Sequence, residues 1–393
     1  MKQIISAGPL PRPSDFLRPP GPRPFPLGNP RTSYWYCART AIVQGCLSIG
    51  LRAGDRVLAP AYACGSEIDA LVGAGLRLEY YRVRPDLSVD LDHVEHVCRA
   101  GGSALRALFV THYFGFAQDM DSILAFARAR DLVVMEDNAH GLYSRDPGGR
   151  ELGSLGNASV FSFTKSLAVP DGGALVLDAS VPSAPDRGRR PELFPVAGKA
   201  RYLFEQAVEQ KSRGAGRFLR QSVLDPLARR VKSQASVPHV ESKEGMDLIG
   251  FRRERVDWRI STPARLMLRA SLSRDIPDIR RSNYSALLAG IETDSRARAL
   301  LPLLPNGCCP LMFPILVDDP RGLLRHLSAV DIRAKHFWSF SHPDVPMQQF
   351  PFEAELKKNT VALPVHQDLD RDDMARIAEA VRVWRRGGGR VVH

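Results

Sequence analysis

Between residues 36 and 180 the chain alternates short apolar runs with helix-like stretches of about ten residues, and this restricts the fold more than any other feature. The runs at 55–60, 77–83, 107–111, 132–136, 158–163 and 173–177 read as strands. Stretches at 40–50, 66–75, 91–99 and 120–130 read as the helices between them. Such alternation builds a mostly parallel sheet with helices on both faces, an α/β fold. The runs at 158–163 and 173–177 flank a polar turn instead of a helix. A second αβ region follows, with a helix expected from 263 into the 280s, a strand at 312–317, and helices at 321–330 and 371–384. Residues 1–30 hold nine prolines and read as an extended arm, either a loose tail or a strap across a partner subunit. The expected organisation is that arm, a large domain over 31–250 and a small C-terminal domain over 251–393.

Composition narrows the class further. With 393 residues, 44% hydrophobic and 25% charged, the chain is neither a disordered segment nor a disulfide-stapled miniprotein. No apolar run reaches the roughly 18 residues of a membrane span, and no apolar stretch behind Lys2 suggests a secretory signal. The six cysteines have neither CxxC nor Cys/His metal spacing and read as reduced thiols of a cytoplasmic protein; no metal is expected. The net charge is +11, and residues 187–232 alone carry twelve basic and four acidic side chains. That stretch reads as a solvated basic helical insert, with a phosphorylated substrate or nucleic acid as functional alternatives.

In open parallel sheets ligands sit at the carboxyl ends of the strands, so the residues there carry the functional reading. Lys165 follows the 158–163 run and is the one lysine between residues 3 and 198. A lysine amine forms an imine, which an arginine guanidinium does not. Asp137 follows an apolar strand, where a buried acid is costly unless paired. An amine and a carboxylate at two strand ends meet the needs of pyridoxal 5'-phosphate: the amine holds its aldehyde carbon, and the acid keeps its ring nitrogen protonated. Thr40, with the amides of residues 38–41 at a helix start, is a natural site for the phosphate, and Ser162 adds a hydroxyl. No Walker or dinucleotide glycine fingerprint stands at these strand ends.

Three segments in order, Glu136-Asp137-Asn138-Ala139-His140, Phe161-Ser162-Phe163-Thr164-Lys165 and Pro170-Asp171-Gly172-Gly173, resemble the DegT/DnrJ/EryC1/StrS aminotransferases. Supporting stretches are 54–60, 112–121 and 363–369. The resemblance covers 35–180 closely and 250–385 more loosely. It implies a fold-type-I pyridoxal phosphate enzyme, with a seven-stranded, mostly parallel large domain and a smaller C-terminal α+β domain. It also implies a homodimer with shared sites, keto-sugar substrates that are often nucleotide-linked, and glutamate as a common amino donor. Lys165 matches the Schiff-base lysine, Asp137 the partner of the ring nitrogen, and His140 the position beside the ring. Ser162 and the turn Ala38-Arg39-Thr40 match the phosphate-binding positions.

The departures are specific. Ala38-Arg39-Thr40 replaces the family's usual Ser-Gly-Thr, and Cys64 stands where an aromatic often stacks on the ring, with Tyr62 the nearest substitute. The Ser162-to-Lys165 spacing is two residues shorter than in many members. Asp257 replaces an Asn that reaches the neighbour's phosphate, a role a carboxylate would not take over. His112 and His366 read as structural. The run 335–338 and His342 lie near where family members contact substrate. The expected activity is transfer of an amino group from an amino acid to a keto sugar or related keto compound. Elimination or other chemistry at Cα on the same cofactor is the alternative, and a nucleic-acid-binding or regulatory protein a remote one.

Overall fold

A computed structural model describes residues 3–12, 14–15, 23–100, 105–182, 188–211, 252–272, 275–291, 294 and 296–387. The large sheet has seven strands: β1 (Thr32–Trp35), β2 (Arg56–Pro60), β3 (Arg77–Tyr81), β4 (Leu105–Thr111), β5 (Val133–Asn138), β6 (Ala158–Ser162) and β7 (Gly173–Leu177). Their order is β1-β7-β6-β5-β4-β2-β3. β2 to β6 run parallel, while β7 is antiparallel to both its neighbours, β6 and β1. The first four helices, α1 (Ala38–Ser48), α2 (Ser66–Gly73), α3 (Leu91–Ala100) and α4 (Met120–Arg128), are the crossovers expected from the sequence alternation.

The central strands read as continuous apolar runs because both their faces are covered. In β4, Ala107 and Phe109 join the core beneath α1 and α2, where Ile42, Ile68 and Leu71 lie. Leu108 and Val110 point the other way, into the core holding Val94, Met120 and Ile123 of α3 and α4. The two-residue period thus divides one strand between two cores. All five parallel strands end at one edge, so Pro60, Tyr81, Thr111, Asn138 and Ser162 share it. The chain also changes direction across the sheet there, moving outward from β2 to β3 and then back to β4.

A one-turn helix, α5 (Phe163–Ser166), follows β6, and α6 (Leu193–Lys211) lies beyond β7. The rest of the basic insert, 212–232, lies outside the described residues. The single helix expected from 263 into the 280s is two, α7 (Thr262–Ser271) and α8 (Ile276–Gly290). Leu272 leaves α7 in extended conformation, and α8 restarts with a proline in its first turn, where the missing N–H is harmless. α7 joins the core of Phe161, Phe163 and Val176, and the segment before it pairs with β1 through Trp35 and Arg259.

The second sheet is antiparallel, in the order β10 (Lys335–His336), β11 (Thr360–Pro364), β9 (Met312–Val317), β8 (Ala297–Ala299). Helices α8, α9 (Pro320–Ala329) and α11 (Arg371–Arg386) contribute to its core around Phe313, Ile315, Val361 and Ile377. α10 (Pro351–Asn359) leads into β11. A reciprocal capping box between Asp370 and Asp373 starts α11, an interaction worth about 1 kcal/mol. The described part of the arm runs along this second unit. Ile5 bridges Ile332, and Arg12 pairs with Asp368 at 3.1 Å.

Candidate active site

β5 delivers Asp137 to the carboxyl edge of the large sheet, between Thr111 of β4 and Val160 of β6. The carboxylate is 7% exposed, and its one hydrogen bond is from the Ala139 amide to Oδ1, at 2.8 Å. Burial, then the charge of Glu67, pushes it up to about 6, while a protonated Lys165 pulls it down. Among the described residues no cation forms an ion pair with it, and Lys165 acts on it only from a distance. Next to it in sequence, Glu136 does structural work. It accepts from His112 at 3.0 Å and from the amides of Gly153 and Leu155, so it pins the 153–156 loop. His112 is buried in that network, as its structural reading expects.

α5 carries Lys165, whose Nζ lies 3.0 Å from His140 Nε2. The His140 ring is buried, and burial together with protonated Lys165 and Lys335 holds it well below its usual range, so it is neutral. Its Nδ1 accepts the Phe114 amide at 3.2 Å, which places the ring proton on Nε2. Nε2 is the ring atom that faces the Lys165 amine. The turn after β4 makes this possible. Phe114 has φ +55° and Gly115 φ +91°, which turns the Phe114 amide toward the imidazole.

Cys64 and Glu67 complete this side. Glu67 opens α2, is 4% exposed, and accepts from Cys64 twice, at 2.8 Å from its amide and at 2.6 Å from its thiol. Burial, then Glu67, pushes that thiol up to about 12, so it stays protonated. Lys357 of α10 comes in from the second unit. It donates to the carbonyls of Ala63 and, at 2.9 Å, Phe340. Burial holds its amine down at about 8, although Glu67 and Cys64 partly offset that. Glu67 and Lys357 were not singled out by sequence reasoning. Tyr62, the nearest aromatic to Cys64 in sequence, is fully buried between Tyr113 and Trp338.

Ala38, Arg39 and Thr40 form the first turn of α1, whose N-cap Cys37 caps none of its amides but puts its thiol 3.6 Å from the Thr40 hydroxyl. This start is pressed onto β7 at Gly173, where a Cβ would lie 2.5 Å from the Cys37 carbonyl carbon and 2.6 Å from the Ala38 nitrogen. Gly173 pairs with Ser162, so the helix start, Ser162 and Lys165 are linked through two strands. Asp171 of the same motif accepts from the Ser261 amide and hydroxyl and anchors α7. The Thr40 hydroxyl donates to the Arg255 carbonyl at 3.3 Å. Asp257 pairs with Arg189 at 2.8 Å. His342 is bound to Asp69 at 2.8 Å.

A cavity of about 860 Å³ opens over Lys165 and His140. Its walls come from the arm (Ile4 and residues 6–10), from α6, and from 335–338 and His366 of the second unit. His366 is buried and contacts Ser6 through Nε2.

These groups fit pyridoxal phosphate. The Lys165 amine and the buried Asp137 carboxylate lie at the carboxyl edge of the large sheet, and the start of α1, with Thr40, is linked to Ser162 and Lys165 through β7 and β6. Cys64 supplies no ring for stacking. Among the described residues, no cluster of His, Cys, Asp and Glu suits a metal ion.

Residues 38–182 match the sequence model of the DegT/DnrJ/EryC1/StrS aminotransferase family. The spore coat polysaccharide biosynthesis protein SpsC of Bacillus subtilis is 33% identical over 132 residues, 33% of this chain and 33% of its own length. The first curated relatives are therefore matched over only about a third of their length. AtS13 from Actinomadura melliaura superimposes with TM-score 0.63 at 20% identity, covering 97% of this chain and 99% of that one. A putative sugar aminotransferase, Spr1654 of Streptococcus pneumoniae, in its PLP form, gives 0.64 at 14% identity, covering 97% and 98%. The fold is thus the fold-type-I arrangement expected from the sequence.

Proposed function

From a chain whose residues 38–182 belong to the DegT/DnrJ/EryC1/StrS aminotransferase family, we propose a pyridoxal phosphate-dependent aminotransferase that moves an amino group from an amino acid, glutamate by preference, to a keto sugar. The observation that carries the reading is the Lys165 amine, 3.0 Å from Nε2 of His140 and within electrostatic reach of the buried carboxylate of Asp137.

Each residue then has a role. The cofactor, when bound, supplies an aldehyde carbon that amines capture and a ring that takes up electrons from the substrate Cα–H bond. Lys165 holds the cofactor at rest and, once displaced, moves the proton at the substrate Cα. A placed amine of this kind contributes about 10²–10⁴-fold as a general acid–base. Asp137 keeps a proton on the ring nitrogen, and that cation satisfies the charge the carboxylate now bears alone. His140 orients Nζ. The α1 amides, with Arg39, Thr40 and Ser162, bind the phosphate. Cys64 would present a protonated thiol, and no aromatic face, to the bound cofactor.

The cavity falls within the roughly 300–1,000 Å³ of sites for small organic ligands, and it accommodates a sugar, with or without a linked nucleotide. We read the enzyme as a cytoplasmic homodimer. In support, all six cysteines are free, no helix among the described residues is long and apolar enough to cross a membrane, and α1, α6 and α7 expose Leu47, Phe204 and Leu266.

The test is borohydride reduction of protein incubated with pyridoxal phosphate, followed by peptide mass spectrometry. The expected adduct is on Lys165, and addition of glutamate before reduction should release 2-oxoglutarate and abolish it. An adduct elsewhere, or none, refutes the assignment.

A further inference from the structure

We propose that Lys335 is a specificity residue that holds the α-carboxylate of the amino donor, an inference that rests on the aminotransferase reading. Lys335 lies on β10 in the wall of the cavity that also exposes Lys165. Two residues on, Phe337 stacks edge-on against His140 at 5.8 Å, and His140 touches Lys165. Lys335 and Phe337 both line this cavity.

The arginines of the wall make hydrogen bonds within the described residues. Arg280 is buried, with its guanidinium on the Ser166 carbonyl and the Gln367 amide oxygen. Arg333 donates to the Ser328 hydroxyl. Among the acids of the wall, Glu205 is bound by Arg201 at 2.6 Å. The Lys335 amine has no ion pair or hydrogen bond among the described residues. Burial lowers it from its usual range, and the charge of Lys165 lowers it further, so the two amines are within electrostatic reach. A ligand anion placed between them relieves that repulsion.

Position decides which anion. The reacting carbon must come to Lys165, and a charge that close to it is the carboxylate one bond away on an amino acid. The phosphates of a nucleotide-linked sugar lie many bonds further out. The carbonyl region of a keto sugar carries no charge.

The experiment compares wild type, Lys335→Gln and Lys335→Arg, all loaded with pyridoxal phosphate, in the half-reaction with L-glutamate and with L-alanine. The Gln variant should raise the KM of both donors by about tenfold with little change in kcat, the loss expected when a charged hydrogen bond is removed. The Arg variant should recover most of it. Glutarate titrated calorimetrically into loaded and unloaded protein should bind about tenfold more weakly to the Gln variant. An unchanged KM, or a loss confined to glutamate and absent for alanine, overturns the assignment. Wild-type protein that takes up no cofactor overturns the parent reading instead, and in that case unchanged glutarate binding to the unloaded Gln variant overturns the role of Lys335 as well.

Discussion

Asp137 concentrates the electrostatics of the site in one side chain. Its carboxyl titrates near 6 when folded, against roughly 3.9 in an unfolded chain. The folded state therefore holds the proton more tightly, and stability falls as pH rises through that interval. Asp137→Asn removes the burden. Without cofactor, the Asn variant should melt above wild type at pH 7, and the gap should close below pH 4, as measured by calorimetry. The same variant should bind pyridoxal phosphate more weakly. A variant that melts lower than wild type at pH 7 contradicts the account. Lys165 and Asp137 were legible in the sequence because each follows an apolar strand and Lys165 has no competitor over most of the large domain. Glu67 was not. An acid in the first turn of a helix looks like an ordinary partner of the helix dipole. Its burial involves Lys357, which arrives from nearly 300 positions later in the chain.

At the level of elements, the contact between α1 and β7 sets the phosphate end of the site. All three atoms that a Cβ on residue 173 would strike, the Cys37 carbonyl carbon and oxygen and the Ala38 nitrogen, are backbone, so a side-chain rotation does not make room. Gly173→Ala should lower stability by about 1–3 kcal/mol, as for other overpacked positions. It should also weaken pyridoxal phosphate binding, since the helix start must retreat from Ser162. Thermal melts and a fluorescence titration with the cofactor check both, and a variant unchanged in each removes the argument. The elements of the large sheet were readable because each central strand is apolar on both faces and each helix has its own length of chain. β8 and β10 were not, being three and two residues long, too short for a period to show. β1 is a half-buried strand of four. The join between α7 and α8 escaped because the apolar pattern carries across it, and Pro277 reads equally well as a first-turn residue or as a break.

The whole molecule brings three parts of the chain together around one cavity, and it leaves large apolar side chains on α1, α6 and α7 in solvent. If those faces pair between copies, sedimentation should give twice the 43.4 kDa chain mass at micromolar concentration. Leu266→Glu on α7, where this side chain is 58% exposed, should shift it toward the single chain without unfolding it. Unaltered sedimentation of the variant would remove α7 from the interface. The arm has a different consequence. Leu10 and Arg12 are fixed by Asp368, and Ile5 by Asp331, whose codons come more than 300 places later. During synthesis the opening segment leaves the ribosome with nothing to hold. The cavity wall it forms needs residues made more than 300 places later before it has anything to rest on.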